Sequence, residues 1–393
     1  MSDTWVKFWC NRAMADRPTF ISDFALNRLI ILIDDAGSSR AALVAPALNA
    51  QSAEVNRILE LSGGLTFVAL SPERAASFLL HSMTRPSVGE KPASTSILMP
   101  QYTSVEAREG ITTGISAADR AATIAILGAE SPQPRALVKP GHIFPVETRD
   151  GGVLVKLAIP EGTVDLARLA GFTDAALFVD LLDEHGELMS ADAAREFGAA
   201  RGISVTSLTE IIAHRLEREP LVTRGAEAHL PTTLAGEVRA VVYRSRIHAV
   251  EHIALVKGDV RGDEPVLVRV QAESTATDVF GGSGPSTRLH LQNALRAIGD
   301  RTRGVFLYLR RPFIDDKSHN VQSLEIAEMA HGGAPAMMRE YGVGAQILRD
   351  LGVTRIELLT TTPRSLAGLP SFGIHVVSQH SIPDLTTSTE HVV

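Results

Sequence analysis

The chain has 393 residues, 45% hydrophobic and 21% charged, with a formal net charge of −7. That length exceeds one ordinary core and predicts two domains, while the composition suits a soluble globular protein and excludes long disorder. The acidic balance is spread without blocks, which excludes nucleic-acid binding through a basic face.

The one cysteine, Cys10, rules out an internal disulfide framework and a four-thiolate zinc site, and suits a reducing compartment. No apolar run reaches the eighteen or so residues of a membrane span. No basic-then-apolar leader opens the chain. A cytoplasmic protein without membrane contact is expected.

In chain order, Trp5, Phe8, Trp9 and Arg12 share one helical face. They form an extension over 1–20, expected to pack on its own domain or across a dimer, or else to act as a ligand lid. Leu29–Ile33 reads as a buried strand, followed by Asp34-Asp35 and a Gly-Ser loop. A helix over 52–62 should stop at Gly63, Phe67–Leu70 reads as a strand, and Ser71-Pro72 should open the next helix. Residues 85–103 read as a loop.

The run Glu106–Arg120 is the stretch around which the rest of the chain is arranged. Gly110 and Gly114 free the backbone for positive φ. Ser116 is placed as an N-cap, with Asp119 answering it in a capping box. The free N–H groups of such a helix start, with the Thr112 and Thr113 hydroxyls, suit a phosphate or carboxylate. A simple capped turn is the alternative.

Helices are expected over 117–128, 163–170, 191–200 and 207–218, with a strand over 176–182. A break at Glu217-Arg218-Glu219-Pro220 marks the domain boundary. Strands then fall at 237–244, 251–258, 266–271, 305–309 and 356–359, and helices at 287–299, 322–330 and 336–351. Alternating strands and helices give an α/β (α+β) fold in two domains, 21–218 and 219–393. The tail after 381 is polar.

Glu106–Arg120, Lys139–Val146, Gly151–Leu154 and Val164–Gly171 together resemble the 3,4-dihydroxy-2-butanone 4-phosphate synthase family over about the first 215 residues. Ala254–Asp259, Asp278–Gly281, Gly304–Arg310, Tyr341–Val353 and Leu358–Thr360 resemble GTP cyclohydrolase II. The chain thus resembles the fusion that feeds both branches of riboflavin synthesis, which implies a homodimer acting on small molecules.

The first family enolises ribulose 5-phosphate and shifts its skeleton, with a divalent metal and carboxylates. Asp34-Asp35 match the opening of its acidic run. The metal-binding Glu aligns with Ser39, later acids with Ala41 and Leu43, the metal-ligating His with Ile159, and a catalytic Glu with Asp180. His142, Thr112, Thr113, Asp119 and Glu161 remain. His142 is a candidate acid or base near neutral pH, or a packing histidine. Glu161 is a candidate catalytic acid, or a first-turn acid favourable to the helix dipole.

The second family holds zinc on three cysteines, which align with Ser274, Pro285 and Thr287; its proton acceptor aligns with Met337. Its nucleophilic Arg is matched by Arg339, a nucleotide-contacting Thr by Thr360, and substrate contacts by Arg269 and Glu273, which could instead pair with each other. Asp315-Asp316 with His319 reads as a solvated acidic loop, and Gly281–Gly284 as a flexible turn.

With those ligands replaced, neither metal nor cofactor is expected. The expected function is a repurposed, metal-independent hydrolase or lyase on a less charged, heterocyclic or aromatic compound. His142, Arg339, Asp180 and Glu161 would be catalytic, and Thr112, Thr113, Asp119, Arg269, Glu273 and Thr360 would bind substrate. A non-catalytic scaffold or regulator binding flavin-pathway enzymes or metabolites is the alternative, and ordinary riboflavin synthesis the third reading.

Overall fold

The computed structural model describes residues 18–35, 40–83, 101–280, 287–310, 334–361, 369 and 372–382, and only the backbone at 276 and 334–339. The aromatic stripe of Trp5, Phe8 and Trp9, the acidic loop at 315–319 and the helix expected at 322–330 lie outside these residues. The chain forms two compact units, Met1–Ile212 and Ala213–Val393. Among the described residues no helix is long and apolar enough to cross a membrane.

The first unit runs α1 (Thr19–Ala25), β1 (Ile30–Ile33), β2 (Ala41–Pro46), α2 (Ser52–Ser62), β3 (Phe67–Leu70), α3 (Pro72–Ser77) and β4 (Val105–Ala107). It continues through α4 (Ala117–Gly128), β5 (Leu137–Glu147), α5 (Ile159–Ala170), β6 (Ala175–Asp180), α6 (Ala191–Arg201) and β7 (Val205–Ser207). Helix α7 (Leu208–Arg218) leads into the second unit. The strands make one mixed sheet in the order β4-β5-β3-β6-β2-β1-β7.

Central strands β1, β2 and β3 are buried at every position, so both faces are covered and the sequence shows apolar runs rather than alternation. Strand β2 escapes a propensity reading because it is rich in alanine. Pairing makes it a strand: Leu43 stands between Ile31 of β1 and Val179 of β6. On one face Val68, Leu70, Leu177 and Val179 pack with Ile58, Ile124 and Leu127 of α2 and α4. On the other, Phe67 stacks on Phe178 at 5.2 Å between ring centres and leans on Phe144 at 6.0 Å.

The local signals act as expected at α2, where Gly63 closes the helix at φ +66°, and at α3, where Ser71 Oγ accepts the Arg74 N–H. Helix α5 starts at Ile159 rather than Thr163. Pro160 lies in its first turn, where a missing N–H costs nothing.

The second unit runs β8 (Val222–Thr232), β9 (Gly236–Ser245), β10 (Glu251–Lys257), β11 (Val266–Ala272), α8 (Thr287–Gly299), β12 (Gly304–Leu309), α9 (Ala334–Asp350), β13 (Arg355–Thr360) and β14 (His375–Ser381). Its sheet order is β14-β13-β11-β12-β10-β9-β8. Strand β11 is parallel to both β12 and β13, and β13 to β14. The other pairs are antiparallel. Leu295 and Ile298 of α8 cover Leu267, Phe306 and Leu359 of the sheet.

Phe178 is fully buried and its ring is shared by the neighbouring strand. Phe178→Ala is expected to lower the stability of the first unit by about 3–5 kcal/mol, read as a lower urea midpoint at unchanged slope.

Candidate functional site

In the first unit, the loop before α4 is tied to a single acid. Asp119 Oδ2 accepts the Thr112 hydroxyl at 2.8 Å and the Gly114 N–H at 2.9 Å. Ser116 Oγ accepts the Asp119 N–H at 3.1 Å, the N-cap contact expected from the sequence. The reciprocal half of a capping box is replaced, because the carboxylate turns back to the loop instead of to the Ser116 N–H. Burial works against the Asp119 charge, but the donors from Thr112, Gly114 and Ser116 outweigh it and hold its carboxyl below the usual range. Thr112 and Thr113 are exposed, with the Thr112 hydroxyl committed to Asp119.

This loop lies against Glu106. Gly114 has φ +81°, and a Cβ there would stand 1.2 Å from Glu106 Oε1, so only glycine fits. Glu106 in turn meets His142 Nδ1 at 2.9 Å. An irregularity between Val105 and Glu106 separates their partners on β5, Ile143 and Val138. Such bulges re-aim side chains. Glu106 is buried, whereas the His142 side chain is 45% exposed. In the tautomer with the proton on Nδ1, Glu106 Oε1 accepts it and the ring's lone pair is on Nε2. Glu106 is the residue that sequence reasoning missed. Its only signal was an acid opening the glycine-rich run, and its partner lies 36 positions away.

The register also places Asp180. Phe67 pairs with both Phe144 and Phe178. His142 and Asp180 each lie two residues beyond those partners, at the same end and on the same face of the sheet. With one strand between them, their backbones are about 10 Å apart. Arg40 Nη2 stands 3.5 Å from Asp180 Oδ1, and burial raises the Asp180 pKa despite that cation.

Glu161 is wholly buried in the first turn of α5, not at a solvent-facing helix start. It accepts the Arg149 N–H at 3.3 Å, and Lys156 Nζ lies 3.4 Å away. Its Oε2 has no hydrogen-bond partner. Burial pushes its carboxyl up, and Lys156 only partly offsets this. Asp35 is spent structurally: Oδ1 accepts the Thr209 N–H and hydroxyl at the start of α7.

In the second unit Glu273 follows β11 and Thr360 ends β13, the carboxyl ends of parallel strands where open α/β sheets hold ligands, while Arg269 lies in the middle of β11. Arg269 is paired in register with Leu359 of β13 and donates to its carbonyl at 3.2 Å. Its Nε has no partner, and burial lowers its pKa against the pull of Tyr341 and Asp278. The alternative pairing of Arg269 with Glu273 is not what forms. Glu273 Oε2 faces Arg310 Nε at 3.5 Å, and Oε1 accepts the Thr275 hydroxyl. Thr360 ends β13 next to Leu359. The Arg339 and Met337 side chains, Pro285 and Gly281–Gly284 lie outside what is described.

A cavity of about 470 Å³ opens elsewhere in this unit, lined by Arg224, Tyr243, Gln346 and Asp350 among others. It contains none of the predicted residues, and Arg224 is committed to Glu227 and Asp350.

Residues 18–214 match the family model for 3,4-dihydroxy-2-butanone 4-phosphate synthase, and 223–381 that for GTP cyclohydrolase II. Riboflavin biosynthesis protein RibBA of Aquifex aeolicus is 34% identical over 91% of this chain and 90% of its own. The chain belongs to this family of fused riboflavin-biosynthesis proteins. Another relative, monofunctional riboflavin biosynthesis protein RIBA 2 of Arabidopsis thaliana, is 33% identical over 95% of this chain and 78% of its own. The crystal structure of RibBX, a two domain 3,4-dihydroxy-2-butanone 4-phosphate synthase from A. baumannii, aligns with a TM-score of 0.75 at 27% identity. That alignment covers 92% of this chain and 98% of that one.

These likenesses correct the function expected from the sequence. Relatives a third identical along almost the whole fused chain are named for riboflavin biosynthesis. The family assignment therefore replaces both the repurposed hydrolase or lyase and the non-catalytic scaffold.

Because the Asp119 pKa is lowered in the fold, its charge adds stability above the ordinary Asp range, and this is lost as pH falls through the folded value. Asp119→Asn is expected to be less stable than the parent near neutral pH. The gap should close in acid, as measured by urea unfolding of both proteins at pH 7, 5 and 3.

Proposed function

We propose that this fused synthase–cyclohydrolase relative acts in riboflavin biosynthesis, with its first unit performing the proton transfer of the synthase reaction on a ketose phosphate. The observation that carries this reading is the Glu106–His142 pair. A buried carboxylate fixes Nδ1 of a half-exposed imidazole and leaves Nε2 to face the substrate. His142 Nε2 takes the proton next to the substrate carbonyl, and Glu106 stabilises the imidazolium that forms. Asp119 keeps the loop in place through Thr112, and Thr113 stands at its exposed edge for the substrate's oxygens. Asp180, on the same face as His142, and the buried Glu161 belong to the site's supporting charges, with Arg40 and Lys156 as their cations.

We further read the chain as diverged at the family's metal positions. Ile159 is 1% exposed and carries no lone pair, so the family's divalent metal does not fit there, and no step is derived through it. Ser39 lies outside the described residues. In the second unit, Arg269 has a buried guanidinium N–H without a partner. It is placed for an anionic nucleotide, with Thr360 and Arg339 on adjoining elements. The reading places domains at 21–218 and 219–393, a homodimer, and a cytoplasmic location in keeping with a single thiol.

The deciding experiment follows ribulose 5-phosphate by NMR in D₂O with the purified chain, and formate release beside it. Exchange of the proton next to the carbonyl is expected, reduced about 10²-fold or more in His142→Ala and less in Glu106→Gln. No exchange by the parent protein, or equal exchange in His142→Ala, would overturn the assignment. For the second unit, GTP is expected to raise the melting temperature, and Arg269→Lys to weaken that rise, since lysine cannot reproduce the planar fork.

A further inference from the structure

The place where the second family holds zinc is occupied by protein contacts. The three ligand positions align with Ser274, Pro285 and Thr287, and the chain has a single cysteine, Cys10, far along the sequence from all three. Pro285 lies outside the described residues. Ser274 and Thr287 are brought to within one hydroxyl of each other, and that hydroxyl belongs to the buried Thr277. Thr277 Oγ1 donates to Ser274 Oγ at 2.6 Å and also meets Thr287 Oγ1.

Beside them stands Asp278. Its Oδ2 accepts the Ser274 N–H at 3.0 Å and the Tyr308 hydroxyl at 2.8 Å, and its Oδ1 accepts Gln271 Nε2 at 3.1 Å. Gln271 Nε2 also lies 3.3 Å from the Thr287 carbonyl. The cluster thus ties the helical turn Thr275–Asp278 to β11, β12 and the start of α8. Holding such elements together is what a structural or catalytic zinc does for its ligand loops.

The donor chemistry does not suit the ion. Zinc takes thiolate, imidazole or carboxylate. Neutral hydroxyls are poor ligands, Asp278 is a single carboxylate, and among the described residues no group of three or more His, Cys, Asp or Glu could hold a metal. We propose that the second unit has replaced its family's zinc centre with this hydroxyl–carboxylate cluster, centred on Thr277 and Asp278, and that it folds without the metal. The cluster's contacts lie within the second unit, so this proposal stands apart from the proton-transfer reading of the first.

The test uses the full chain and three measurements. Purified from zinc-supplemented medium, it should carry well under one zinc per chain by elemental analysis, and its melting temperature should not respond to EDTA. Stoichiometric zinc whose removal lowers the melting temperature would overturn the proposal. Thr277→Val, nearly isosteric, should lower the melting temperature by about 3–8 °C, since it removes the hydroxyl that links Ser274 to Thr287; Tyr308→Phe should lower it less. No change in either variant would show that the cluster holds nothing. Finally, Ser274→Cys, Pro285→Cys and Thr287→Cys combined should restore uptake of about one zinc per chain. Failure of that folded variant to bind zinc would overturn the assignment of the cluster to the metal's place.

Discussion

One carboxylate oxygen, Asp119 Oδ2, holds the first unit's candidate site together. It accepts the Thr112 hydroxyl and the Gly114 N–H, which folds the loop back so that Gly114 closes on Glu106. That wall fixes the carboxylate, and the carboxylate fixes the imidazole of His142. Each contact is a charge-assisted hydrogen bond or a steric limit, so the arrangement is preorganised before any substrate arrives. Asp119 therefore holds the loop, and through it the Glu106–His142 pair.

Both units carry buried charge. The first keeps acids inside with incomplete partners: Glu161 has a bare oxygen, and Asp180 faces Arg40 beyond hydrogen-bond distance. Such groups are costly for stability, which fits residues retained for a site rather than for packing. In the second unit Asp278 accepts from three different donors and also attracts the Arg269 guanidinium. Unmatched polar atoms remain there too, at Arg269 Nε and at Gln271 Oε1.

Family membership and site chemistry are separate questions in this chain. The frame aligns along nearly its whole length with relatives named for riboflavin biosynthesis. Likeness along the chain assigns the family; what each pocket does is argued from its own side chains.

From sequence alone came the two-domain α/β plan, most helices, the caps of three of them, and the motifs that carry the family likeness. These are local: a capping serine, a closing glycine and an apolar period act over a few residues. Strand β2, rich in alanine, and strand β8, exposed along almost its whole length, were illegible because their partners make them strands. Tertiary structure alone decided that Asp119 would serve the loop, that Glu161 would be wholly buried, that Glu273 would pair with Arg310, and that Glu106 would meet His142. Each of these depends on strand register or on a contact across many residues, and no local propensity encodes where a distant strand will place its side chains.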